Sequence, residues 1–387
     1  MASTRDKLRR MPGPAVLLLC VLGILFIFAA VGPDSIYTIF HERSDFRHFY
    51  IGAKIVNSDK LYDVDHVLAT QNKLFGATTR SEFPTRLPFY YVFLSPLAWL
   101  PFKVGQWVWL AGMIMAIMAF VWLTAGLGRT RMVIACCWSC PLVFSLPVAQ
   151  DIALVLLILA AASWAVYARR NWWLAGLLFS LCLIKFNLIL LCPLLIIGKA
   201  KWRLAAGFMA GATSLMAISF LVEGWDWPRE YLAEVFDPLV SPGLASMPNI
   251  HGLMFNFQQP VVLEYLLSLA VVGLVWWVIR NRSFGVSAAV TLMGSLLLSQ
   301  HAYLTDCAIL IPALLTLIRP NNGKLVRYCA LLLLLPVPYV VTFFRQSGSG
   351  LAVILLVLLV AIALDSRTRR ALTMPRERVS RSPALLP

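Results

Sequence analysis

Residues 107–127 read WVWLAGMIMAIMAFVWLTAGL and are followed at once by Gly128-Arg129-Thr130-Arg131. The block holds no ionisable side chain from end to end. About 20 such residues, rising 1.5 Å each as a helix, cover the ~30 Å hydrocarbon core of a bilayer. A helix satisfies its backbone polar groups internally, so it is the open-ended element that can cross there. Similar blocks stand at Ala15–Val31 and Leu351–Leu364. Buried strands of a soluble α/β protein would give apolar runs of only about 4–8 residues. Composition agrees: 60% of the 387 residues are hydrophobic and 13% charged, against roughly a half and a quarter in soluble domains.

The basic pair that ends this block belongs to a pattern. Of the 33 Lys and Arg, 22 fall in short gaps between apolar blocks or at the chain ends. These clusters are Arg5–Arg10, Arg129/Arg131, Arg169/Arg170, Lys199/Lys201/Arg203, Arg280/Arg282, Arg319/Lys324/Arg327 and Arg367–Arg381. Cytoplasmic loops of membrane proteins carry such an excess. The net charge of +15 is therefore a topology signal, and a nucleic-acid partner is not expected. Gly-Pro-Asp follows Val31 where a small-residue cleavage site would stand, so the first block is read as an uncleaved span.

With the basic clusters as cytoplasmic anchors, the expected fold is an all-α, polytopic integral membrane protein with both termini inside. It would have about twelve transmembrane helices and a long first extracytoplasmic loop, from Pro33 to Gln106. The predicted spans include Trp107–Leu127, Val133–Val148, Trp172–Ile184 and Leu188–Ile197. Phe89–Leu100 contains Pro96 and reads as interfacial. Residues 1–366 form one transmembrane domain, and the basic 367–387 reads as a disordered cytoplasmic tail against anionic lipid. The cysteines lie mostly in apolar blocks; Cys137 and Cys140 have CxxC spacing but no second pair.

On this topology the polar clusters collect on the outer side: Asp45, Gln150, Lys185, Asn249, His251, His301 and Asp306. Ionisable groups at membrane depth are costly and mark functional sites or mutual pairs; the bland reading of Lys185 is a side chain snorkelling to the interface. The run Asp45-Phe46-x-x-Phe49-Tyr50-x-x-Ala53 resembles the first-loop signature of glycosyltransferase family 87. Leu61-Tyr62-Asp63, Leu94–Pro101, Gln150, Ala175-Gly176-Leu177 leading to Lys185, Asn249–Leu253 and the His301/Asp306 turn follow in matching order. Phe186 departs from the Pro the family often has after the Lys, which leaves the local helix break open.

The resemblance implies a GT-C-like bundle in the plasma (inner) membrane that acts on the extracytoplasmic face. It would move a hexose, mannose by resemblance, from a polyprenyl-phosphate donor to a lipid or glycan acceptor. Polyprenyl phosphate is already an anionic leaving group, so nearby positive charge or hydrogen-bond donors suffice. Lys185 suits that role by charge, and His301 or His251 by hydrogen bonding. Asp45 is the candidate base for the acceptor hydroxyl, against an ion pair with Arg43 or Arg47 as the plain reading; His48 or Asp306 come next. Tyr50, Gln150, Asn249 and Asp306 are candidate substrate contacts. No cofactor or metal is expected, since Asp63-x-Asp65 mimics a metal motif without a nucleotide-sugar substrate to share the ion. Membrane lipids are the remaining partner. A transporter or flippase, and a polysaccharide polymerase or ligase, are the competing readings. In intact cells, Thr130→Cys in a background without reactive cysteines should resist an impermeant thiol reagent; strong labelling would invert the topology.

Overall fold

The computed structural model describes residues 13–40, 44–76, 83–235 and 243–365, and every regular element among them is helical. Five helical segments are long and apolar enough to cross a bilayer: Gly13–Gly32, Phe102–Leu123, Trp172–Ile189, Trp202–Glu223 and Val261–Asn281. Lys324–Leu334 and Val337–Arg345 make a sixth if counted as one span bent by 59°. Pro336 and Pro338 stand at that bend, where the missing N–H groups interrupt the helix ladder. Ile152–Tyr167, Phe284–Leu298, Leu304–Leu317 and Ser349–Leu364 are apolar but shorter. The chain is thus a helical membrane protein.

The reading of about twelve spans is finer than these elements support. Val133–Val148 is not one helix. It divides into Arg129–Trp138 and Cys140–Ser145, because Ser139 leaves the helix to cap Leu142 and Pro141 opens the next one. Leu188–Ile197 reduces to the short helix Cys192–Gly198. Trp172–Ser180, by contrast, continues through a tight 3₁₀ stretch to Ile189, interrupted at Lys185. The basic clusters Arg5–Arg10 and Arg367–Arg381, the tail 367–387, and Glu42 and Arg43 lie outside the described residues.

The helices run between two ends of unlike chemistry. Ile152–Tyr167 leaves Asp151 and arrives at Arg169/Arg170; Trp172–Ser180 returns towards Lys185. Trp202–Glu223 starts beside Lys201, Val261–Asn281 ends at Arg280, and Phe284–Leu298 goes back to Ser299 and His301. Basic turns therefore gather at one end and the polar clusters at the other. Arg282, 1% exposed, closes the basic end by donating to the carbonyls of Ile362 and Ala363 at 3.0 Å. It thereby satisfies acceptors at the negative end of the last helix.

Three short helices lie across the other end. Phe46–Ile55 packs on Pro88–Ala98, and Val64–Phe75 on Phe46–Ile55. The loop between Phe46–Ile55 and Val64–Phe75 is pinned by Glu223, whose carboxylate accepts from the backbone N–H of Asn57 at 2.5 Å and of Leu61 at 3.3 Å. Asp63 caps Val64–Phe75 by accepting from His66 N at 3.0 Å. Pro88–Ala98 is too short to cross and packs beside Trp202–Glu223.

The closest helix pair is Trp172–Ser180 against Trp202–Glu223. Small residues at Gly176 and Ser180 face Gly207 and Gly211, the spacing that lets helix backbones meet inside a bilayer. A Cβ on Gly207 would stand 2.0 Å from the carbonyl oxygen of Trp173, and one on Gly176 2.1 Å from that of Leu204. Gly207→Leu should therefore force the helices apart and cost ~1–3 kcal/mol or more, read as a lower melting temperature in detergent. An unchanged melting temperature would mean that this pair does not set the spacing.

Candidate active site

The polar end is organised by the turn from Leu146 to Asp151. Ala149 sits in the left-handed region at φ 59°, unusual for a residue with a Cβ. Trp109 Nε1 donates to its carbonyl at 2.9 Å, and Asp45 N donates to the carbonyl of Val148 at 2.9 Å. These bonds hold a conformation that an L-residue resists by ~1–2 kcal/mol. The next two side chains, Gln150 and Asp151, are turned into the interior, where they are 6% and 0% exposed.

Lys185 comes to the same place from the neighbouring helix. Its backbone departs from helical geometry (φ −134°, ψ 63°), so the break falls on the Lys itself without a following Pro. The ammonium meets Gln150 Oε1 at 3.0 Å, Asp151 Oδ1 at 3.1 Å and Asp306 Oδ1 at 2.6 Å. An ammonium has three N–H groups, and each has an oxygen here. Lys185 is 3% exposed, so it does not snorkel.

Two arms extend from this centre. On one side the Gln150 amide donates to Asp45 Oδ2, which joins the first loop to the network. On the other, Arg86 clasps Asp151 with two parallel bonds, Nε to Oδ2 at 2.9 Å and Nη2 to Oδ1 at 3.2 Å. Arg86 is held through its backbone: Tyr62 donates to its carbonyl at 2.7 Å, and its N–H donates to the Tyr91 hydroxyl at 3.1 Å. Asp306 Oδ2 accepts from Tyr303 N at 2.9 Å, so the 300–306 turn is drawn in as well. Three carboxylates, two cations and one amide thus form a continuous chain.

Burial would raise the Asp151 carboxyl, but the charges of Arg86 and Lys185 and their hydrogen bonds outweigh it and hold the group well below the usual carboxylate range.

The histidines occupy an adjoining layer. Asn187, two residues past Lys185, donates to the carbonyl of His301 at 2.7 Å and to Ser299 Oγ at 2.9 Å. Asn249 is fully buried; it caps Ile250–Asn256 by accepting from Gly252 N and donates to the carbonyl of Ser299 at 2.6 Å. His251 meets Glu264 at 2.9 Å. Burial pushes the His301 imidazole down, as does His251 nearby, against a hydrogen bond involving the Val235 backbone. Nδ1 of His301 is buried with no hydrogen-bond partner among the described residues.

The structure therefore joins Asp45, Gln150, Lys185 and Asp306, all singled out in the sequence. Asn249, His251 and His301 form the neighbouring layer. Tyr50 is different: its hydroxyl donates to the carbonyl of Leu100 at 2.8 Å and its ring packs on Phe46 and Phe102, so it anchors the first loop. Arg86 and Asp151 are not among the candidates drawn from the sequence. One signal was present: Arg86 and Lys185 are both among the few cations outside the basic clusters.

The description of glycosyltransferase family 87 matches residues 87–300. That is more than half of the chain, and the chain belongs to this family. It is a membrane glycosyltransferase. No curated protein and no solved structure matches it. Gln150, Asp151, Lys185, Asn249 and His251 fall within the matched region; Asp45, Arg86, His301 and Asp306 flank it.

The lowered pKa of Asp151 has a sign. A carboxyl held below its unfolded value of ~3.9 stabilises the fold above that pH, and the contribution is lost as acid protonates the folded group. The melting temperature of the wild type should fall from about pH 5 downward, more steeply than that of Asp151→Asn. Parallel pH profiles would show that the pair carries no such coupling.

Proposed function

We propose that this membrane glycosyltransferase moves a hexose, mannose by family resemblance, from a polyprenyl-phosphate donor to a hydroxyl of a lipid or glycan acceptor. The reaction takes place at the polar end of the bundle, which faces away from the cytoplasm of a cell whose plasma membrane holds the protein. The reading rests on the hydrogen-bonded chain from Asp45 through Gln150 to Lys185. Family membership favours transfer over transport or polymerisation. The basic turns at the opposite end support the orientation.

Asp45 is the base. It lies at the start of Phe46–Ile55, partly exposed where most of its partners are buried. The acceptor oxygen attacks the anomeric carbon as its proton passes to Asp45. The bond from that carbon to the phosphate oxygen breaks, and polyprenyl phosphate leaves with the electron pair. A single displacement of this kind inverts the anomeric centre.

Gln150 orients the Asp45 carboxylate, and Lys185 fixes the amide that does so. With three protein oxygens already on its ammonium, Lys185 supplies field to the leaving phosphate more than contact. His301, with its unpartnered Nδ1, and His251 are the hydrogen-bonding groups for the phosphate oxygens. Asn249 and Asp306 hold the turn that presents them, and Tyr50 holds the helix that presents Asp45. No metal enters this scheme.

Asp45→Asn keeps the size of the side chain and removes the base. Turnover with a radiolabelled polyprenyl-phosphate hexose should fall by at least ~10²-fold, while donor binding is retained. Near-normal turnover in a folded variant would remove Asp45 from the role and turn attention to His48 or Asp306.

A further inference from the structure

A cavity lies at the other end of the bundle from the polar network. It has a volume of about 700 Å³ and is lined almost wholly by apolar side chains. Its lining runs from Leu127, Ala168 and Arg319, beside the basic turns, to Leu159 and Leu292 deeper along the helices. From Ala168 to Leu159 along one helix is about 13 Å at 1.5 Å per residue. One leaflet of hydrocarbon is half of ~30 Å. The cavity therefore has the depth of a single leaflet.

Its rim is cationic. Arg319 is the charged residue in the lining. Arg169 stands 4.9 Å over the ring of Trp164, itself part of the wall. Lys201 stands 4.2 Å over Trp172, whose edge packs on Phe284 of the lining at 5.4 Å. Each aromatic ring holds its cation beside the basic end of the cavity. An apolar shaft one leaflet deep under a ring of positive charge is the complement of one molecule type: a lipid with an anionic headgroup.

We propose that this cavity is a binding site for an anionic phospholipid of the leaflet at the basic end. An acyl chain fills the shaft between Phe102–Leu123, Ile152–Tyr167 and Phe284–Leu298, and the phosphate is met by Arg319, Arg169 and Lys201. The site is independent of the transfer chemistry proposed above, since it lies at the opposite end of the same helices. It supplies packing where the helices leave a gap.

Gly285 offers a clean test. It lines the cavity, and a Cβ built there meets nothing within 4 Å, so a larger side chain enters the empty space without displacing protein. The full-length protein in detergent is incubated with dioleoyl phosphatidylglycerol or dioleoyl phosphatidylcholine, and retained lipid is counted by native mass spectrometry. Phosphatidylglycerol should be retained in preference. Arg319→Gln should reduce that preference about fivefold, the equivalent of ~1 kcal/mol for one basic residue at an anionic surface. Gly285→Leu should reduce retention of the lipid itself; Gly126→Leu, also pointing into open space, serves if that variant does not fold. Equal retention of the two lipids, or retention unaffected by filling the cavity, would overturn the proposal. So would displacement of phosphatidylglycerol by equimolar polyprenyl phosphate, which would assign the shaft to the carrier lipid.

Discussion

An ammonium ion that is 3% exposed takes all of its solvation from protein, and Lys185 takes it from Gln150, Asp151 and Asp306. Those oxygens come from two separate stretches, the turn before Ile152–Tyr167 and the 3₁₀ helix Leu304–Leu310. The helix that carries Lys185 must break to bring the ammonium to them. Removing Lys185 would strip the Asp306 carboxylate of its cation in a dry interior, a loss of ~3–5 kcal/mol for a buried pair. The positions of Asp45 and Arg86 follow from the same centre, through Gln150 and Asp151. The network is thus a fold constraint and a candidate site at once: the elements that must meet to solvate Lys185 are those that bring its polar side chains together.

The helical membrane class was legible because it rests on patterns that need no tertiary information. Blocks such as 107–127 and the segregation of basic residues are properties of the chain alone. The family resemblance was legible from the order of motifs between Asp45 and Asp306, and the match over 87–300 bears it out. Element boundaries were less accessible. Val133–Val148 looked continuous because Ser139 and Pro141 are compatible with an apolar run until one asks where their caps go. The site was half legible. Asp45, Gln150, Lys185 and Asp306 stood out by type and side, but their mutual bonds depend on a left-handed Ala149 and a non-helical Lys185, neither of which composition reveals. Arg86 escaped because its partner Asp151 is distant in sequence and its neighbours Pro84 and Pro88 read as loop.

The same residue types serve different ends at the two poles of the molecule. At the basic pole, Arg282 turns inward to satisfy helix carbonyls, while Arg169 and Lys201 lie over indole rings. At the polar pole, Arg86 and Lys185 are both committed to carboxylates. Cations that face a charged surface can be placed by aromatic stacking alone. Cations turned into the interior take helix carbonyls at the basic pole and carboxylates at the polar pole.

The helices that frame the network are short. Ile152–Tyr167 and Phe284–Leu298 have 16 and 15 residues, or about 22–24 Å at 1.5 Å per residue, against ~30 Å of hydrocarbon. The longer and less buried helices around them, Phe102–Leu123, Trp202–Glu223 and Val261–Asn281, have 21–22 residues and match that thickness, so the short pair ends within the span of the others. The polar network would then lie recessed between the longer helices, where the lipid-phosphate donor proposed above could meet it from within its own leaflet. Acyl-chain length in the host membrane would then be a variable of the proposed transfer, because a thicker bilayer deepens that recess.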